Sequence, residues 1–271
     1  MEHWELIDVL LLKVERANKH IAELKTAWDA FFNDDSYTVK HRDDPRTNER
    51  SFYVAGIREI PLELSTIVGD ALSNLRGALD HLAHHLVVVG TGLPGPFSRV
   101  YFPIAEDALK YKETRDGKTQ GMKQAALKEI DALQPYGDGA GKILWYLHCL
   151  NNIDKHRLLL PVWTDLEGHS ILPSQRAKII EQYYGSYPAS SKAPDLKGTF
   201  IPPAAKLFPI KVGDVLLTVP KADMDEQTHF LLNLAFGEPE IVKGRLVILT
   251  LLEISSFIRH TVTKFDRLGL L

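Results

Sequence analysis

The chain has 271 residues, 45% hydrophobic and 25% charged, proportions of a globular protein long enough to bury a sizeable core. A net charge of −3 removes any global attraction for nucleic acid, so a polyanion would need a local basic patch. The single cysteine, Cys149, excludes an internal disulfide, and no apolar run approaches the roughly 18–20 residues that span a bilayer.

The first residues, Met1-Glu2-His3-Trp4-Glu5, carry no basic region ahead of a long apolar run. No secretory signal and no membrane partner are expected, and the expected location is cytoplasmic. Residues 4–32 are predicted to form a long amphipathic helix, because Leu6, Val9, Leu10, Val14, Ala17, Ile21, Leu24 and Trp28 recur at three- and four-residue spacing. Two extended stretches, 37–39 and 52–55, joined by a polar loop suggest a hairpin. That loop holds Lys40, His41, Arg42, Arg46 and Arg50, diluted by Asp43, Asp44 and Glu49, which fits a solvated surface.

Pro61 opens the next helix, which runs to about Val89 with Leu64, Val68, Leu72, Leu75, Leu79, Leu82 and Leu86 along one side. The glycine- and proline-rich stretch 90–96 breaks it, and 100–104 is a short apolar segment. Residues 107–121 are polar and expected to be irregular. A short helix over 122–133 ends at Gln134-Pro135, since the residue before proline avoids helical dihedrals. The glycine-rich stretch 137–142 fails as a phosphate-binding P-loop: its first glycine would fall at Tyr136 and its hydroxyl at Ile143. A helix follows from Lys142 to about Leu158. Strands and loops are predicted over 159–175 and 198–220 with a turn at Val212-Gly213-Asp214, then a strand over 228–235 and a closing helix over 246–268. The expected architecture is α+β: a single domain over 1–271, a helical bundle of about four long helices with inserted antiparallel strands and a strand-rich insertion at about 159–236.

Two polar segments stand in these apolar surroundings: 74–85, with Asn74, Arg76, Asp80, His81, His84 and His85, and 151–157, Asn151-Asn152-Ile153-Asp154-Lys155-His156-Arg157. At about 100° per residue, Asp70, Asn74, Gly77, His81 and His84 fall opposite the leucine stripe, with His85 alongside. A solvated helix face usually carries Lys and Glu, and this one has no lysine. Small and titratable groups suit a cleft, or a second helix packed close at Gly77. Arg76 and Asp80, four residues apart, can pair.

In the helix from Lys142, Ile143, Leu147, Leu150 and Asp154 share one face, so Asp154 projects where a leucine would be expected. A buried carboxylate needs a partner. That partner is expected from the Arg76–His85 group, with Arg157 as a local alternative. Asn151, Lys155, His156 and Arg157 are adjoining binding candidates. His81 with His84 or His85 could give two metal ligands, and Asp80 or Asp154 a third. Histidine-rich turns also occur without metal, and no metal or cofactor is expected.

Asn-Leu-Arg-x-Ala-Leu-Asp-His at 74–81, Phe-Pro-Ile at 102–104, Leu-Gln-Pro-Tyr at 133–136 and Asp-Lys-His-Arg at 154–157 together resemble a group of uncharacterised bacterial helical-bundle proteins of similar length. Arg76 and His81, with four residues between them, are also similar to the Arg-x4–6-His signature of HEPN domains. That resemblance implies a dimeric, metal-independent ribonuclease acting on RNA. It makes His81 the proton-transfer group and Arg76 the phosphate clamp, with Asp80 and Asp154 orienting them. Imidazole titrates near neutrality and guanidinium matches phosphate oxygens. On an ideal helix Arg76 and His81 point about 140° apart. Their convergence on one phosphate requires a bent arginine, a distorted helix or a site composed across a dimer. The alternatives are a non-catalytic ligand- or partner-binding protein with a structural polar network, and a metal-dependent hydrolase built on the histidines.

Overall fold

A computed structural model describes residues 3–95, 97–159, 161–170, 200–201, 207–221 and 230–271. The chain is α+β, but six helices occur among the described residues, not about four. They are α1 (His3–Phe32), α2 (Leu62–Thr91), α3 (Ala108–Lys118), α4 (Gln124–Leu133), α5 (Lys142–Asp154) and α6 (Val247–Arg267). Two of the six, α3 and α4, are short, and α5 stops at Asp154 rather than near Leu158.

The reason α3 escapes a periodicity search is physical. Tyr111 is its one buried residue, so it has no apolar stripe. It forms instead from straight-chain charged residues of good helix propensity and an N-cap, the Lys110 amide donating to Asp107 Oδ1 at 2.7 Å. Asp131 of α4 then joins the pair of short helices. It accepts from the Tyr111 hydroxyl at 2.7 Å and from Arg115 through both of its oxygens.

The residues group into two compact units. One comprises Met1–Asp29, Pro61–Pro161 and Glu238–Leu271. Its core follows the stripes visible in the sequence: Leu10, Val14, Ala17 and Leu24 of α1, Leu72, Leu75, Leu79 and Leu82 of α2, Leu147 and Leu150 of α5, and Leu251, Ile254, Ile258 and Val262 of α6, all fully buried, with Leu144 of α5 fully buried where the sequence pointed to Ile143. Helix α2 packs against α5 and α6. Ser255 of α6 donates to Asn18 of α1 at 2.6 Å. Helix α2 ends where Gly92 adopts φ +70° and its amide caps the Val88 carbonyl at 2.8 Å. No helix among the described residues is long and apolar enough to cross a membrane.

The other unit comprises Ala30–Ile60 and Val162–Gly237. It holds β1 (Tyr37–Asp44), β2 (Glu49–Ile57), β3 (Pro161–Ser170), β4 (Phe200–Ile201), β5 (Val215–Pro220) and β6 (Phe230–Phe236). They form two three-stranded sheets, ordered β1-β2-β5 and β4-β3-β6. The hairpin is longer than the sequence suggested, because the charged residues of the supposed loop pair across it: Asp43 lies opposite Arg50 and bonds it at 2.5 and 2.9 Å. Trp163 anchors the unit against Phe31, Phe32 and Tyr37, with its indole N–H on the Arg58 carbonyl at 3.2 Å. Parts of the expected strand-rich insertion, at 171–199, 202–206 and 222–229, lie outside the described residues.

Candidate functional site

The first polar segment belongs to α2, and Arg76 and Asp80 sit one turn apart on it. Arg76 Nε donates to Asp80 Oδ2 at 3.0 Å and Nη2 to Oδ1 at 2.8 Å, a bidentate fork. The chain returning after α2 joins this pair. The Phe102 amide donates to Asp80 Oδ1 at 3.0 Å, and its carbonyl accepts from Arg76 Nη2 at 3.2 Å. Phe102 thereby puts both backbone groups on one ion pair while its ring is fully buried. Two residues on, the Ile104 carbonyl accepts from Lys118 at 3.1 Å. The Asn-Leu-Arg-x-Ala-Leu-Asp and Phe-Pro-Ile stretches are thus two sides of one polar brace.

Positive charge accumulates beside it. Burial, then Arg76, holds the Lys118 ammonium below its usual range. Burial, then Arg76, Lys118 and Lys155, pushes His148 of α5 down to about 4. His148 is stacked on Trp145, ring centroids 5.2 Å apart and 18° between planes, and Asn152 Nδ2 lies 2.9 Å from its Nε2. Its imidazole is neutral at physiological pH and accepts from the amide. Arg76 Nη1 is buried without a hydrogen-bond partner among the described residues.

Asp80 also reaches a cleft of about 650 Å³, lined by Val9, Asp80, His81, His84, His85, Val88, Pro94 and Val100. His81 is exposed there. His84 packs against Phe97, ring centroids 5.3 Å apart. Gly95 at φ +81° lets the loop close on it, since a Cβ there would lie 2.9 Å from His84 Nε2. Three imidazoles and a carboxylate therefore share one cavity with four apolar residues. Arg76 does not line that cavity: its guanidinium belongs to the Phe102 brace, and Asp80 is the residue common to both.

The second polar segment does not converge on the first. Asp154 is half-buried against Gly69 of α2, where a Cβ would collide with its carboxylate. The expected Arg or His partner is absent among the described residues. The charge that acts on Asp154 is that of another carboxylate: burial, then Asp70, holds its pKa above the usual range. Gly69 precedes Arg76 by seven positions, so Asp154 lies about two turns of α2 before the Arg76 brace. Arg157 pairs with Glu238, both bonds 2.5 Å. Asn151 is buried, while Lys155 and His156 are exposed. Asn74 donates to the Asp70 carbonyl at 2.8 Å, an ordinary bond within α2. Nothing among the described residues lies within 4 Å of a Cβ built at Gly77, so no described helix packs close there.

Among the described residues no three His, Cys, Asp or Glu side chains converge as metal ligands. Burial, then Glu106, raises the Cys149 thiol to about 11, so it is protonated at neutral pH. Sequence reasoning missed Phe102, Lys118 and Trp145 as neighbours of the polar residues. The Phe-Pro-Ile stretch carried no polar signal, because its contribution is made by backbone groups. No family model matches the chain, nor does any curated protein or solved structure.

Proposed function

We propose that the protein is a metal-independent ribonuclease acting through the α2 cleft, with His81 and His84 as its proton-transfer groups. The observation that carries this reading is the placing of two imidazoles, three residues apart on one helix, in a single open cavity. Cleavage of RNA by its own 2′-hydroxyl needs two proton transfers. A base takes the hydroxyl proton as that oxygen attacks the adjacent phosphorus. An acid protonates the departing 5′-oxygen, leaving a 2′,3′-cyclic phosphate and a free 5′-hydroxyl. Imidazoles can do both near neutral pH. His81, the exposed ring, is the base, and His84 the acid. The resemblance of Arg76 and His81 to the HEPN signature supports the same chemistry and a homodimeric assembly. Arg76 enters as a positioning residue that holds Asp80 and the returning chain, not as the phosphate clamp.

A second reading, a non-catalytic site for a small, partly apolar ligand, is favoured by Val9, Val88, Pro94 and Val100 in the same wall. One experiment separates the two. Mixed-sequence single-stranded RNA is incubated with the full chain, with and without chelator, and compared for wild type, His81→Ala and His84→Ala. The ribonuclease reading expects chelator-resistant cleavage with cyclic-phosphate ends, reduced about 100-fold or more in both variants. No cleavage by the wild type at high enzyme concentration, or cleavage that both variants retain, overturns it. In the first case the ligand-binding reading takes its place.

A further inference from the structure

A phosphodiester in the histidine cleft needs a cation, and Arg76 is committed to Asp80 and Phe102. The loop that walls the cleft offers another. Val100, which lines the histidine cleft, also lines a second pocket of about 500 Å³ together with Phe97, Ser98, Arg99 and Gln120. Phe97, on the pocket side, packs on His84, on the cleft side, at 5.3 Å. The two cavities are therefore neighbours divided by the 97–100 segment.

The chemistry of the second pocket is one-sided. Among the described residues none of its lining is acidic, and Arg99 is the one charged group there. Five of the seven other arginines of this unit, Arg76, Arg115, Arg157, Arg245 and Arg259, pair with a carboxylate; Arg16 and Arg267 do not among the described residues, but neither of them lines this pocket. Arg99 is exposed and pairs with none among the described residues. Beside it stand the Ser98 hydroxyl and the Gln120 amide, neutral donors that can complete the coordination of an oxyanion. Gly117 and Gly121, which carry no side chain, also line it. An unpaired guanidinium among neutral donors matches a phosphate group, which it can grip through two N–H groups at once.

We infer that this pocket is the phosphate subsite of the histidine cleft. Arg99 holds a backbone phosphate of single-stranded RNA, with Ser98 and Gln120 beside it, and the chain then passes over Val100 toward His81. The Phe97 ring supplies an apolar face for a neighbouring base. The inference rests on the ribonuclease reading for its choice of ligand, but binding tests it apart from catalysis.

The test measures binding of a fluorescent, short 2′-O-methyl oligoribonucleotide, which lacks the attacking hydroxyl, to the full chain. Wild type, Arg99→Ala, Arg99→Lys and Phe97→Leu are compared, with thermal melts to confirm folding, and inorganic phosphate serves as competitor. The expected results are a Kd weakened about tenfold or more in Arg99→Ala, partial recovery in Arg99→Lys, and competition by phosphate in the wild type that Arg99→Ala abolishes. An unchanged Kd in Arg99→Ala, or a wild type that binds neither probe, overturns the subsite. Arg99-dependent binding without cleavage of natural RNA would sink the ribonuclease reading and leave the subsite standing. Cleavage indifferent to Arg99 would do the reverse.

Discussion

Asp80 receives three hydrogen bonds from two sources, two from Arg76 at 3.0 and 2.8 Å and one from the Phe102 amide at 3.0 Å. The Arg76 side chain is 11% exposed and that of Asp80 26%. A surface pair at this helical spacing is worth a few tenths of a kcal/mol, but this one is shielded and ties a second chain segment to α2. Removing one partner leaves the other ion shielded and unpaired. Arg76→Ala and Asp80→Ala are each expected to cost about 2–4 kcal/mol, lowering Tm by several degrees. The double replacement Arg76→Ala with Asp80→Ala should cost less than the sum of the singles. Thermal melts of the four proteins form the cycle, and strict additivity would show that the pair is not coupled.

His148 makes stability depend on pH. Its folded value, about 4, lies below its ordinary 6.5, so between those limits the unfolded chain binds the extra proton. Stability from this group is complete above the unfolded value and is lost as pH falls through the folded one. The slope attributable to one such proton is at most ~1.4 kcal/mol per pH unit, and partial exposure makes it smaller. In His148→Gln, which keeps a neutral acceptor for Asn152, the decline in Tm from about pH 6.5 to 4 should be shallower than in wild type. Equal slopes would show that His148 titrates normally.

The long helices were legible because their stripes repeat, and because most residues of those stripes are buried, Val9 of α1 and Ile143 of α5 being exceptions. Helix α3 was not, since a mostly exposed helix writes no stripe, and its charged residues look the same in a loop. The site divides in the same way. The Arg76–Asp80 pair follows from spacing along one helix, and the shared cleft of His81, His84 and His85 follows from their common face. The Phe102 brace depends on backbone groups, whose positions no side-chain pattern encodes. Asp154 misled for a related reason: the position predicted a buried carboxylate with an Arg or His partner, but the group is half-buried and the charge acting on it is that of Asp70.

Two glycines of α2 should respond oppositely to alanine. At Gly77 a Cβ meets nothing within 4 Å among the described residues, so only the backbone entropy of the unfolded chain and helix propensity change. Gly77→Ala is expected to stabilise by about 0.5–1 kcal/mol. At Gly90 a Cβ would collide with the Gly121 carbonyl oxygen and lie 3.1 Å from the Lys123 amide nitrogen. Those are backbone atoms, which cannot swing aside as a side chain can. Gly90→Ala is therefore expected to destabilise by about 1–3 kcal/mol despite its gain in propensity. Denaturant melts of both variants decide it, and a stabilised Gly90→Ala would show that α2 does not approach the 121–123 turn so closely.

Asp154 provides the last test, because its charge is a cost to the fold. Burial and Asp70 raise its folded pKa above the unfolded value, so the folded chain binds that proton more tightly. For a raised carboxylate, stability is greatest below the unfolded value and falls as pH rises through the folded one. At neutral pH the ionised group has no cation to offset its desolvation among the described residues. Asp154→Asn keeps the shape against Gly69 and removes the charge. It is expected to raise Tm by about 1–2 °C near pH 7, with the gain vanishing near pH 3, where wild-type Asp154 is protonated in both states. Asp70→Asn should act in the same direction and more weakly, since it removes the lesser of the two causes. A lower Tm for Asp154→Asn at neutral pH would mean that the carboxylate has a cationic partner after all.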